Sequence, residues 1–441
     1  MRYLLLSLIF ALFTLSGACA HNRLINPIEL HQPQDAKIYL NPHNQNTPLL
    51  STQRQNQLAQ EFLDDYFKPW HKQDDLDTFR SHITLSIKGE QHYELNQLRH
   101  HPGIGVNFHP HDPAWADQLE QQMDLAHYAN QNRNAIVVNN TALRALPTDQ
   151  PNFKDFHLAG EGYPFDYLQF SPLWVGTPLR VRHLTQNGDW ALVIGPTMFG
   201  WVRTRDIAYV SPAFIKRWEN HHYVAITRNH IALKDQTGRY YADARLGTLL
   251  PRQNKLIFFP VKDANQQAII KLAQLPANSF HHFPWRATPA HFATVINNVI
   301  GEPYGWGGLY GFRDCSQLML DVMTPFGIHL PRNSASQLLS YHSQDTKKLN
   351  AKQIEKLLLS DSKPFLTLVG FPGHIMLYIG KYHNQAIVFH DKWGIQTIDW
   401  DGHKGRAIVG KAAITSMHFG THVPYAPVNL LEETERIVRI S

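Results

Sequence analysis

Cysteine is nearly absent from these 441 residues: there are two, and the first, Cys19, stands at the end of an apolar leader. If that leader is removed on export, Cys315 remains alone. An internal disulfide is then excluded, and thiol chemistry becomes the natural reason for the residue. Long hydrophobic runs are scarce as well. The run from Tyr3 to Leu15 is too short to span a bilayer and is followed by small residues, so residues 1–20 read as a secretory signal. Ala18-x-Ala20 fits cleavage after Ala20, and Cys19 fits a lipid acceptor. The soluble, periplasmic or envelope form is the expectation, with lipid anchoring at Cys19 as the alternative. No later stretch is long and apolar enough to cross a membrane. A strong excess of one charge is also missing: the net +5 is spread along the chain and gives no footprint for nucleic acid. The 27 histidines include no His-Glu-x-x-His, and no Cys-x-x-Cys occurs, so neither a metal nor another cofactor is expected.

What is present supports folded cores, with 43% hydrophobic and 11% aromatic residues. The length suits about three domains of ~150 residues, or more if they are small. Residues 21 to 50 are rich in Asn, Gln, Pro and His and read as an extended arm. Helical spacing of Leu58, Phe62, Leu63, Tyr66 and Phe67 predicts a helix over 56–70, and a second helix is expected near 113–130. From about Gly160 the texture changes to short runs broken by Gly, Pro and Asn. These include Leu179-Arg-Val-Arg-His, Trp190-Ala-Leu-Val-Ile, Gly200-Trp-Val, Tyr223-Val-Ala-Ile and Leu256-Ile-Phe-Phe-Pro-Val. Strands so short and close predict small antiparallel barrels, with room for two between 155 and 278.

Beyond 286 the order reads helix, loop, helix, helix, strands. Leu318, Met319, Val322 and Met323 mark a helical face that Pro325 and Gly327 end. Asp314 is placed as its N-cap and Cys315 in its first turn. The amides and dipole there predict a thiol pKa below the ordinary ~8.5. A small buried apolar cysteine is the plainer reading of the same position.

A nucleophilic thiol needs a base, and with so many histidines only spacing can select one. Phe371-Pro-Gly-His374 opens a strand running to Gly380, and Gln385 to His390 forms the next. With Lys381 to His383 as the connection, His374 falls opposite His390, close enough for one ring to orient the other. A satisfied core histidine is the plainer reading of His390. His383, His403 and His418 lack this pairing.

Five motifs in order now resemble the NlpC-type cell-wall cysteine peptidases, which have a papain-like core. They are Tyr304-x-Trp-Gly-Gly, Asp314-Cys315-Ser316, Leu330-Pro-Arg332-x-Ser-x-x-Gln337, Gly373-His374-Ile-Met-Leu-Tyr378-Ile-Gly380, and the later His390. Upstream, Phe67-Lys-Pro69-Trp70, Gly160-Glu-Gly-Tyr-Pro164-Phe-Asp166 and Gly200-Trp201-Val202 are similar to members with an N-terminal clip and two bacterial SH3-like barrels. The resemblance implies an α+β chain: a mainly helical region over 21–154, barrels over 155–212 and 213–278, and a peptidase domain over 286–441. It implies a triad of Cys315, His374 and His390, with Tyr304 beside the nucleophile. The implied substrate is the γ-D-glutamyl to diaminopimelate bond of peptidoglycan stem peptides or murein fragments, cleaved by a monomer. Asp314 and Ser316 match positions that hold the substrate amine and peptide, and each also serves as a helix cap. Asp166 is the candidate for a further acidic group near that amine. A murein-binding protein with an inactive peptidase domain, a transacylase and a secreted wall-lytic effector share these features.

Overall fold

The computed structural model describes residues 25–71, 86–158 and 160–441, so the expected leader, Cys19 included, lies outside the described residues. The chain is α+β: a helical N-terminal region, two small β-barrels and a C-terminal domain of helices packed on a sheet. None of the described helices is long and apolar enough to cross a membrane.

The first long helix, Thr52–Tyr66, starts where the Ser51 side chain accepts the Arg54 amide, and it buries Leu58, Ala59 and Phe62. Gln55 shares that buried face. Its amide donates to the carbonyls of Trp285 at 2.7 Å and Phe326 at 3.1 Å, which fastens the helix to the C-terminal domain. Trp70, just beyond, donates its indole N–H to the Ala135 carbonyl at 2.9 Å and so reaches the first barrel. The helix expected near 113–130 spans Ala114–Met123 and ends at Asp124, whose left-handed φ of 48° closes it. A further helix, Ile87–His100, has no counterpart in the sequence reading.

The first barrel is a seven-stranded sheet ordered Gln169–Leu173, Thr141–Arg144, Phe199–Arg203, Trp190–Ile194, Pro178–Leu184, Arg133–Val137, Ile207–Tyr209. Two of these strands precede residue 155, which corrects the expected boundary. Arg133–Val137 pairs with Pro178–Leu184 on one side and Ile207–Tyr209 on the other, and without it both would be open edges. The second barrel runs past residue 278 for a similar reason, because Phe280–His282 pairs with Tyr223–Ile226.

The C-terminal domain is built on a seven-stranded sheet ordered Ile25–Pro27, Lys404–Ser416, Gln385–Ile398, His374–Tyr382, Thr367–Phe371, Arg436–Arg439, His342–Asp345. The arm supplies the first of these, running parallel to Lys404–Ser416. Alternate residues of the central strands enter different cores, as the pleat requires. Ile375, Leu377, Ile387 and Phe389 join the core of helices Pro289–Asn297 and Cys315–Met323. Met376, Tyr378 and Val388 join Ile354 and Leu358 of helix Ala351–Asp361.

Buried contacts lock the barrels to this domain. Arg313 is fully buried and donates to Asp321 at 2.6 Å, Glu302 at 2.7 Å and the Leu246 carbonyl of the second barrel at 2.9 Å. Asp321 also accepts the indole N–H of Trp174, in the first barrel, at 2.9 Å. At Gly307 and Gly308 the loop before Cys315 lies on strand Gln169–Leu173. A Cβ there would stand 2.3 Å from the Gln169 carbonyl and 2.6 Å from Pro172, and both residues have positive φ, so only glycine fits.

Candidate active site

Cys315 opens the helix Cys315–Met323, whose apolar face of Leu318, Met319, Val322 and Met323 is fully buried. Burying four such side chains contributes roughly 1.5–3 kcal/mol each, which fixes the helix start rigidly under the sheet. Asp314 caps it, accepting the Gln317 amide at 2.9 Å. Burial opposes ionisation of Asp314. The Arg332 charge, with hydrogen bonds from Arg332, Gln317 and Gly307, outweighs burial and holds the carboxyl below its ordinary range. Arg332 reaches both oxygens, at 3.1 and 2.6 Å, and also donates to Ser316 Oγ at 2.9 Å and to Ser171 of the first barrel at 2.9 Å. Ser316 in turn donates to Asp314 at 3.1 Å. Asp314 and Ser316 therefore sit directly around the nucleophile, joined to each other and to Arg332.

His374 begins strand His374–Tyr382, after the tight Pro372-Gly373 turn, and its backbone brackets the thiol. Cys315 Sγ lies 3.9 Å from the Gly373 carbonyl and is within reach of the Ile375 amide. His374 Nε2 and His390 Nδ1 are 2.8 Å apart, and His390 Nε2 lies 3.0 Å from Thr415 Oγ1. One tautomer assignment satisfies the whole chain: His374 donates from Nε2, His390 donates from Nε2 to Thr415, and His374 Nδ1 keeps its lone pair for a proton.

The expected register is not the observed one. Positive φ at His383 and Asn384 makes a two-residue turn, and a bulge between Tyr378 and Gly380 shifts the ladder to Leu377 opposite Phe389. Carried along the strands, this register leaves His374 diagonal to His390 rather than facing it. The two shifts together amount to an even number of residues, so both rings stay on one face, within reach of a diagonal pair.

The expected lowering of the thiol pKa is also corrected. Burial, followed by the nearby Asp314 charge, pushes Cys315 up to about 12, against the stabilising Ile375 amide. Burial, with Lys392 and then His390 as neighbouring charges, drives His374 well below the ordinary histidine value, and burial followed by Lys392 drives His390 down to about 3. Burial thus favours the neutral form of both the thiol and the imidazole.

A cleft of about 410 Å³ opens over this centre, lined by Phe165, Tyr304, Trp306, Gly373, His374, Lys392, Trp393 and Arg406 among others. Tyr304 is buried, with its hydroxyl held protonated first by burial and then by the nearby Cys315 and Asp314. The first barrel forms one wall, where Phe165 meets Trp306 edge-on at 5.2 Å and Tyr163 meets Trp393 at 5.8 Å. Asp166 is not part of that wall, contrary to expectation. It is fully buried, and its oxygens are taken by Arg144 at 2.9 Å, the Asn152 amide at 2.9 Å and the Leu168 amide at 3.0 Å. A carboxylate so enclosed holds the loop ahead of Gln169 in shape and has no face open to an amine. Among the described residues, Asp399, Asp401 and His403 gather three possible metal donors in a turn whose donors are mostly exposed, outside the residues that line the cleft.

Three groups at this centre escape sequence reasoning: Thr415, Lys392 and the double role of Arg332. Arg332 falls within a quoted motif, but its partner Ser171 lies in another domain. No local pattern points to Thr415 or Lys392.

A thiol at a helix start, an imidazole at a strand start and a second imidazole behind it define the layout of a papain-like thiol hydrolase. Residues 301–406 match the NlpC/P60 family, and residues 5–128 match the N-terminal NLPC_P60 stabilising domain. Residues 151–203 match an SH3 domain of SH3b1 type and residues 211–252 one of SH3b2 type. Over residues 301–406 the chain is thus similar to the NlpC/P60 family, a family of cysteine peptidases. It is similar to an NlpC/P60 endopeptidase from Photobacterium damselae subsp. piscicida, with 29% identity, a TM-score of 0.86, and coverage of 94% of this chain and 98% of that one. An NlpC/P60 family protein from Bacillus cereus is 16% identical over 69% of this chain and 99% of its own, with a TM-score of 0.44. No curated protein matches the chain.

Proposed function

We propose that this protein hydrolyses peptidoglycan stem peptides at the γ-D-glutamyl to diaminopimelate bond, with Cys315, His374 and His390 as a catalytic triad. The observation that carries the reading is the hydrogen-bonded line from His374 to His390 and Thr415, with His374 lining the cleft and the Cys315 thiol 3.9 Å from the carbonyl of the preceding Gly373. The matches to the NlpC/P60 family model and to two SH3 domain models support a wall substrate.

Because burial favours the protonated thiol, attack is coupled to proton transfer. The lone pair of His374 Nδ1 takes the Cys315 proton as sulfur attacks the γ-glutamyl carbonyl, while His390 holds the ring and shares the developing positive charge. Asp314 occupies the amides of Gln317 and Leu318, so those of Cys315 and Ser316 remain to receive the oxyanion; such donors are worth roughly 3 kcal/mol each. The His374 imidazolium then protonates the departing amine, the thioester forms, and water activated by His374 releases the acyl group. Tyr304 borders the cleft, and Asp314 and Ser316, whose polar atoms are taken by Arg332, Gln317, Gly307 and each other, hold the start of the nucleophile helix in shape.

Purified protein and its Cys315→Ala variant, incubated with L-Ala-γ-D-Glu-diaminopimelate and with intact murein, test this by mass spectrometry of products. Diaminopimelate released by the wild type alone is the expected result. Equal turnover by Cys315→Ala, or cleavage at another bond, would overturn it.

A further inference from the structure

Lys392 is a cation placed in the cleft without an adequate partner. Its residue is only 9% exposed. The nearest carboxylate oxygen, on Glu433, is 3.9 Å from Nζ, and the Phe371 ring lies 5.0 Å away. None of the described residues offers Nζ a hydrogen bond, although an ammonium carries three donors. A buried lysine this poorly paired is costly, since desolvation disfavours its charged form and outweighs the distant Glu433 carboxylate. The ladder also departs from regularity at this point: it shifts between Lys392 and Gly394, where Val409 and Gly410 of strand Lys404–Ser416 stand against Trp393 alone. Opposite this bulge both Lys392 and Trp393 line the cavity. Arg406, the other cation of the cleft, is instead spent on the carbonyls of Glu161 and Leu158.

We infer that Lys392 is a specificity-determining residue that binds a substrate carboxylate one residue or less from the scissile bond. The inference rests on the proposed peptidase reading and deepens it. A γ-glutamyl linkage leaves the glutamyl α-carboxylate free beside the reacting carbonyl, and the departing diamino acid carries carboxylates of its own, so either group supplies the anion Lys392 lacks. Its place two residues beyond His390 gives the carboxylate a second effect. Lys392 is the largest neighbouring charge acting against protonation of His374. An anion that neutralises Lys392 therefore makes His374 a better base when the substrate is in place.

The test compares kcat/KM for three peptides: L-Ala-γ-D-Glu-diaminopimelate, its analogue with the glutamyl α-carboxylate amidated, and its analogue with the diaminopimelate carboxylates amidated. Each is assayed with wild type, Lys392→Met and Lys392→Arg, and near-ultraviolet circular dichroism confirms folding. Removing one partner of a desolvated charge pair predicts that the wild type disfavours one amidated analogue by at least about 30-fold. That ratio collapses toward one in Lys392→Met and is largely kept in Lys392→Arg, and the amidation that matters identifies which carboxylate is bound. Equal use of all three peptides by the wild type, or an unchanged ratio in Lys392→Met, would overturn the inference while leaving the peptidase reading intact. Failure of the wild type to cleave any of them would overturn the peptidase reading instead.

Discussion

Burial disfavours the charged forms of both Cys315 and His374, which argues against a preformed thiolate–imidazolium pair. With the thiol pushed up to about 12, alkylation of the substrate-free protein by iodoacetamide is expected to be slow at pH 7 and still rising at pH 10. A plateau near neutrality would show that the thiol is already ionised. His390→Ala is expected to lower kcat by about 10- to 100-fold, and Thr415→Val by less, because each orients rather than exchanges the transferred proton. Cys315 and His374 could be proposed from the sequence because each sits in a distinctive local motif, and His390 from the spacing of its strand. Thr415 could not. It is one threonine on a long strand, and only the pairing of Gln385–Ile398 with Lys404–Ser416 brings it beside His390. Asp166 misled for the opposite reason: an acidic residue in a cleft-facing motif says nothing of Arg144, which encloses it.

Among the elements, the hairpin that carries both histidines shows how local chemistry sets register. Asn384 favours positive φ by itself, but His383 gives no such signal, so the two-residue turn was hidden. The bulge at Ile379 was hidden too, although Gly380, with φ of 137° and the Tyr39 carbonyl 3.0 Å from a would-be Cβ, marks it in the structure. The helix Ile87–His100 escaped notice because its buried face includes Gln91, whose side chain takes the Trp201 indole N–H, and its first turn contains Gly89. Burying two neutral histidines on this hairpin has a consequence for acid stability. Their folded-state pKa values lie below the unfolded value of ~6.5, so the unfolded chain binds more protons between the two. The stabilising contribution is complete above about pH 6.5 and is lost as pH falls toward 3. Thermal unfolding from pH 7.5 to 4 should show a falling midpoint, with a shallower fall in a His374→Gln, His390→Gln double variant. Parallel slopes would contradict this assignment.

For the molecule as a whole, the barrels are structural partners of the catalytic domain. Arg313 joins Asp321 of the nucleophile helix, Glu302, and the second barrel, while Asp321 holds Trp174 of the first. Arg313→Ala strands the buried Asp321 carboxylate and the partly buried Glu302, so a loss of about 3–5 kcal/mol is expected in denaturant unfolding, together with loss of activity. A loss below about 1 kcal/mol would mean that the domains hold together without this lock. The order of domains was readable from texture, as helical spacing gave way to short strands and then to a helix–strand pattern. Their boundaries were not, because Arg133–Val137 and Thr141–Arg144 reach the barrel across intervening chain.

The central claim, a thiol hydrolase acting through an acyl-enzyme on Cys315, is tested most directly by quenching the wild type in acid during turnover of L-Ala-γ-D-Glu-diaminopimelate and mapping peptides by mass spectrometry. The account predicts an L-Ala-γ-D-Glu adduct on the peptide containing Cys315, absent from Cys315→Ala and accumulating when water attack is slowed in His390→Ala. Release of diaminopimelate with no adduct on Cys315 in either active form, and undiminished in Cys315→Ala, would contradict it.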